Sequence, residues 1–167
     1  MGNGMVRKVD ELGRVVIPKE MRRILNIKTG SSIEMFINDQ NQVVLKKFSE
    51  LENVSSIIET LVKIVYENFQ VACFVCDDEK VLSVCGLSKK EFLFKKINFF
   101  SKKECVFEAK LNDILCETNS NKNCFVFSIF CEGFENGKLI IISESFEEKK
   151  KESVEILIKF LCELLIF

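Results

Sequence analysis

The stretch VRKVDELGRVVIPKEMRRILNIKTG, residues 6–30, holds every arginine of the chain: Arg7, Arg14, Arg22 and Arg23. Residues 31–167 draw their positive charge from lysine alone. Arginine carries a planar fork of donors that grips a phosphate, or the O6/N7 edge of guanine, in bidentate fashion; lysine is a flexible point charge. Guanidinium groups confined to one short stretch therefore suggest an anionic ligand with readable edges. Arg7 lies beside Lys8 in a first extended segment, and Arg14 opens a second. Arg22 and Arg23 fall on a short helix, off the face that Met21, Ile24 and Leu25 share at three-to-four spacing. Adjacent helical residues point about 100° apart, so one of the two suits a phosphate and the other a base edge or flanking backbone. The competing assignment is structural. It pairs Arg14, Arg22 and Arg23 with Asp10, Glu11 and Glu20 as a solvated surface, since exposed ion pairs are common and weak.

Charge is distributed unevenly behind a net value of -1. Residues 1–48 carry nine Lys/Arg against five Asp/Glu, whereas residues 49–167 carry 15 against 20. Such a split implies two modules, with the anionic partner belonging to the first. Catalytic chemistry has little to work with. The chain has no histidine, which removes Ser-His and Cys-His arrangements and His metal sites. It has no G-x-x-x-x-G-K-[ST] or G-x-G-x-x-G phosphate loop. Its carboxylates fall on helix stripes and turns. No catalytic or metal-binding residue is assigned, no cofactor is expected, and the chain reads as a non-enzyme.

The eight cysteines lie between Cys73 and Cys162, mostly in apolar runs such as VACFVC and CFVFSIFC. Reduced cysteine behaves there as a small buried hydrophobe. Within a strand, Cys73 and Cys76 project to opposite faces, which argues against chelation by this C-x-x-C pair. Thiol-based redox sensing is the sharper alternative. The start MGNGMVRKVDELG lacks the apolar core of a secretory signal, and Val6 stands where N-myristoylation needs Ser or Thr. The run VEILIKFLCELLIF is short of a membrane span and broken by Glu155, Lys159 and Glu163. The expected location is the cytosol, without a membrane partner.

The elements that position the arginines begin with the extended MVRKV, a turn at Gly13 and the β-branched RVVI. Pro18 suits the first position of the helix PKEMRRILNI. KTGSS marks a turn, and SIEMFI with QVVLKKF makes a hairpin across NDQN. About 50 residues support only a marginal core unless stapled, and this segment has neither cysteine nor histidine. Its many apolar positions predict an obligate homodimer with a shared core.

Beyond it, Val54, Ile58, Leu61 and Val65 repeat at 4-3-4 spacing opposite a stripe of Glu52, Ser56, Glu59, Lys63 and Glu67, which predicts an amphipathic helix. QVACFVC, a DDEK turn and VLSVCG predict a hairpin of buried strands. SKKEFLFKKI reads as a helix with a Ser88–Glu91 capping box. Residues 99–123 are ambiguous, with KLNDILCET as a short helix. CFVFSIFCEG and GKLIIISES are strands joined near FENG, and a helix closes the chain from about Glu147, either deeply packed or paired with another subunit. No Gly/Pro/Ser linker separates the modules. The predicted domains are 1–50 and 51–167.

The segment VRKVDELGRVVIPKEMRRILNIKTGSSIEMFINDQNQVVLKKF resembles, almost throughout, the DNA-binding domain of AbrB-type bacterial transition-state regulators. The spacing of Arg-Lys, DELGRVVIPKE, RR and LKK carries the resemblance. It implies a swapped-hairpin dimer, with strands interleaved between two chains, that binds double-stranded DNA through Arg7, Arg14, Arg22 and Arg23 with Lys8 in support; Lys46 and Lys47 are weaker candidates. The stretch FQVACFVCDDEKVLSVCGLSKKEFL, between its two helices, is similar to the second half of sporulation regulators that join such a domain to a GAF-like one. That resemblance is close to about residue 93 and loose through residues 94–123. It implies a central antiparallel sheet flanked by helices, pairing of those helices into a homotetramer, and a transcription regulator of sporulation or transition-state genes. It transfers no ligand contacts, so any small-molecule effector is unknown. The alternative class is an antitoxin, since similar dimers serve toxin–antitoxin pairs whose C-terminal tail wraps the toxin; residues 49–167 look folded rather than tail-like.

Overall fold

A computed structural model describes residues 4–25, 27, 29–98, 104–131 and 133–165. The chain divides into two compact units, Met1–Phe48 and Ser49–Phe167, and its class is mixed α+β.

In the first unit, residues 4–18 form no helix or strand and are bent by a turn at residues 11–13. Gly13, at φ +76, supplies the left-handed position of that turn. The two expected strands on either side find no ladder within their own chain; their backbones meet where Asp10 N–H donates to the Arg14 carbonyl at 3.0 Å. Helix α1 spans Lys19–Ile24, shorter than the expected run, with Pro18 one position before it. Strands β1 (Ile33–Ile37) and β2 (Val43–Lys47) form the expected antiparallel hairpin, Met35 opposite Leu45. Asn38 organises its turn: the side-chain oxygen accepts N–H groups from Gln40 and Gln42.

Among the described residues of this unit only Pro18 is buried. Val6 is 93% exposed and Ile24 78%, with Leu12, Val16, Met35, Ile37 and Val43 also open to solvent. So many exposed apolar side chains in one small unit point to an interaction face, because each side chain of this size contributes about 1.5–3 kcal/mol when covered.

The second unit supplies its own core. Helices α2 (Glu50–Asn53) and α3 (Ser55–Phe69) precede strands β3 (Ala72–Cys76) and β4 (Val81–Cys85). The turn α4 (Lys89–Phe92), strand β5 (Val106–Lys110), the turn α5 (Leu111–Ile114), strands β6 (Asn123–Cys131) and β7 (Phe134–Ile142), and helix α6 (Glu148–Leu165) follow. The five strands form one antiparallel sheet in the order β4-β3-β7-β6-β5. The strand period of two sorts residues between its faces. Cys73, Val75, Phe127, Ile129, Leu139 and Ile141 pack under α2, α3 and α6. Phe74, Cys76, Val126 and Ile140 pack under α5 and the segment after β4. Cys73 and Cys76 thus lie on opposite faces, as strand geometry requires. The unit begins at Ser49, two residues before the expected boundary: Ser49 Oγ donates to Asp77 at 3.3 Å, and Asn136 donates to Glu50.

Two local expectations are corrected. The strand expected from Gly137 begins three residues earlier, at Phe134. Cys131 pairs with Phe134, so the hairpin closes before FENG, where Gly133 sits at φ +82, and FENG begins β7. The Ser88–Glu91 capping box does not form. Ser88 makes no side-chain cap bond, and the expected helix stops after one turn, where Leu93 is extended and Phe94 sits at φ +62. Residues 104–123, left ambiguous, provide an edge strand and a helical turn; residues 99–103 lie outside the described residues. The last two residues of the expected closing helix lie outside them as well. Among the described residues, no helix is long and apolar enough to cross a membrane.

Candidate nucleic-acid interface

The turn ahead of Arg14 is built by one carboxylate. Asp10 Oδ1 accepts the N–H of Leu12 at 3.0 Å and the N–H of Arg14 at 2.8 Å, an Asx-type turn. Its Oδ2 accepts Arg14 Nε–H at 2.8 Å. The guanidinium has five N–H donors; holding it by Nε leaves the outer fork to face a ligand. Of the three ion pairs that would have made the cluster a structural surface, this one forms. Among the described residues, Arg22 and Arg23 have no carboxylate partner, and neither do Arg7 and Lys8. The Asp10 pair positions Arg14 rather than consuming it.

Those hydrogen bonds hold the Asp10 carboxyl below its ordinary value of 3.8; the Arg14 backbone N–H is the largest cause and the Arg14 side chain the next. A lowered folded value means the turn's contribution is complete above the ordinary range and is lost as pH falls through the lower one. In an NMR titration, the Leu12 and Arg14 amide shifts are expected to be flat from neutrality down to about pH 4 and to move below it. Movement centred above that value would show that the turn is not carboxylate-held.

Arg22 and Arg23 sit in the last turn of α1, where cations complement the partial negative charge of the helix end. Both are exposed. Lys19, at the start of the same helix, is exposed too, and at i+3 and i+4 it shares a face with them. The sequence reading missed it, because a lysine among lysines carries no compositional signal. Lys46 is exposed opposite Glu34 across the β1–β2 ladder, and Lys47 is half-buried. The unit therefore presents Arg7, Lys8, Arg14, Lys19, Arg22 and Arg23 in exposed positions, alongside apolar residues that its own chain leaves uncovered. No group of side chains able to hold a metal ion occurs among the described residues.

Residues 6–49 match the family described as "Antidote-toxin recognition MazE, bacterial antitoxin", and the first unit is a domain of this MazE/AbrB type. The chain is similar to "Stage V sporulation protein T" of Bacillus subtilis, 38% identical over 95 residues, covering 57% of this chain and 53% of that protein. It is also similar to "Transition state regulatory protein AbrB" of Bacillus subtilis, 53% identical over 45 residues, covering 27% and 46%. The chain spans about half the length of the curated relatives it matches. Among solved structures, "the cofactor binding GAF domain of the nutrient sensor CodY from Clostridium difficile" aligns with a TM-score of 0.40 at 14% identity, covering 68% of this chain and 88% of that one.

Proposed function

We propose that this chain is a DNA-binding transcription regulator of transition-state or sporulation genes. Two copies of the N-terminal unit knit into one dimeric body and present Arg7, Lys8, Arg14, Arg22 and Arg23 to duplex DNA. One observation carries the reading: exposed guanidinium groups and a large uncovered apolar surface share a unit that has no core of its own. A second copy supplies both needs, closing the core and doubling the cations. The relatives' names, a transition-state regulator and a sporulation protein, support the same class.

The second unit serves assembly and effector response in this reading. On α6, Ile156, Phe160 and Leu164 form a stripe at i, i+4 and i+8, exposed at 66%, 63% and 41%. Pairing of that stripe between subunits makes a tetramer of two DNA-binding dimers, whose linkage raises avidity through effective concentration. A small-molecule effector of unidentified chemistry acts through this unit. An antitoxin reading has the family match in its favour. Against it, residues 49–167 form a cored unit rather than a wrapping tail.

Arg22→Lys and Arg23→Lys test the reading by fluorescence anisotropy on specific and nonspecific duplexes. Lysine keeps the charge and loses the fork, so specific binding is expected to fall roughly tenfold or more while nonspecific binding changes little. Equal losses on both would reduce these residues to phosphate anchors.

A further inference from the structure

Away from the interface, the second unit has a groove of about 460 Å³ between α6 and the β5–β6 edge of the sheet, walled by apolar side chains such as Phe127 and Ile158. Two thiols line it. Cys131 ends β6 and Cys162 lies in the last turns of α6; they are 3% and 9% exposed, and both face the groove. Both belong to one buried cluster, and the Cys131 side chain is among the groups that act on the Cys162 thiol. Three of the remaining thiols are engaged elsewhere. Cys73 stands opposite Cys85 across β3–β4 but donates to the Val62 carbonyl at 3.3 Å. Cys124 donates to the Lys122 carbonyl at 3.7 Å, and the half-buried Cys116 donates to Asn98 at 3.0 Å.

We propose that Cys131 and Cys162 are a dithiol–disulfide couple, oxidised by a small hydroperoxide that enters through the groove. The thiolate is the reacting form, and Cys162 is the thiol whose anion the Cys131 S–H group stabilises. Its sulfur attacks a peroxide oxygen, the O–O bond breaks, and with hydrogen peroxide one water leaves Cys162 as a sulfenic acid. The Cys131 sulfur then attacks that sulfur. The S–O bond breaks, the departing hydroxide takes the Cys131 proton, and a second water leaves as the S–S bond forms. Two thiols give up two electrons in total, and the peroxide accepts them.

Burial pushes the Cys162 thiol up, and the Glu163 carboxylate adds to that. The couple is therefore slow and answers sustained oxidant rather than a brief pulse. The bond joins the end of α6 to the end of β6. At about 100° per residue, the Ile156, Phe160 and Leu164 stripe lies well around the helix from the groove, so oxidation braces the helix without covering the stripe. Any effect on assembly rests on the tetramer reading above; the couple itself does not.

The test is thiol mapping of the reduced full-length wild-type protein. It is exposed to hydrogen peroxide, alkylated, digested and analysed by mass spectrometry. The expected product is about two mass units lighter, with the Cys131 and Cys162 peptides joined, roughly tenfold more abundant than any other linkage and reversed by dithiothreitol. Cys131→Ser and Cys162→Ser should each abolish it. A dominant Cys73–Cys85 linkage, a dominant bond through the exposed Cys105 within or between chains, or unchanged alkylation of Cys131 and Cys162 would overturn the proposal. The wild-type result decides even if a serine variant fails to fold. No DNA enters the experiment, so its failure is distinct from failure of the DNA-binding reading.

Discussion

Titrated against duplex DNA at increasing salt, the protein is expected to lose affinity with a log–log slope of about -7. The figure follows from counting cations. If each protomer commits about four to the backbone, a dimer neutralises about eight phosphates, each contributing about 0.9 to the slope. Between 50 and 200 mM salt the affinity then falls by about four orders of magnitude. Anisotropy or filter binding at a series of salt concentrations measures this. A slope near -1 would mean that the exposed arginines do not act together. Replacing Arg7, Arg14, Arg22 and Arg23 with alanine should flatten the slope and leave the second unit's unfolding transition where it was, because all four side chains project from the other unit.

Gly137→Ala is expected to destabilise the second unit by about 3 kcal/mol, an overpacking cost at the upper end of the usual range. Gly137 sits in β7 opposite Ile129, on the sheet face that α2 covers. A Cβ there would fall well inside van der Waals contact of both the Cys76 carbonyl oxygen and Leu51 Cδ1. The carbonyl belongs to the neighbouring strand and cannot move without breaking the β3–β7 ladder. Leu51 is fully buried and has no room to retreat. Gly133→Ala is the control: nothing lies within 4 Å of its added Cβ, so the cost is the left-handed φ of +82 alone, about 1–2 kcal/mol. Urea unfolding followed by far-UV circular dichroism separates the two. Equal midpoints would show that the helix does not sit against Gly137 as described.

The same glycine shows where sequence reasoning reached its limit. FENG has the composition of a turn, and glycine's commonest use is to supply a positive φ. What Gly137 supplies is the absence of a side chain beneath Leu51, a requirement set by a residue 86 positions away. The strong periodic signals fared better. Of the 4-3-4 spacing, Ile58, Leu61 and Val65 are the buried face of α3, whereas Val54 is the half-buried N-cap at which the single expected helix divides into α2 and α3; DDEK is an Asx turn in which Asp77 Oδ1 accepts the N–H groups of Glu79 and Lys80. Ser88 and Glu91 have the right letters for a capping box, but the chain leaves the helix after one turn, so local propensity yielded to tertiary context.

At the candidate interface, the confinement of arginine to residues 6–30 was legible from composition alone. The role of Asp10 was half legible. As a neighbour of Arg14 at i+4 it looked like a neutralising partner, and only the geometry shows it binding Nε and two backbone N–H groups at once. Lys19 was illegible for lack of contrast with its surroundings.

The central claim is that paired N-terminal units grip one duplex. Native mass spectrometry of the full chain bound to a single duplex at low ionic strength tests it most directly. The account expects two or four chains per duplex, with no DNA-bound species carrying a single chain, and loss of all bound species when the four arginines are replaced. One chain per duplex, or undiminished binding without the arginines, would contradict it.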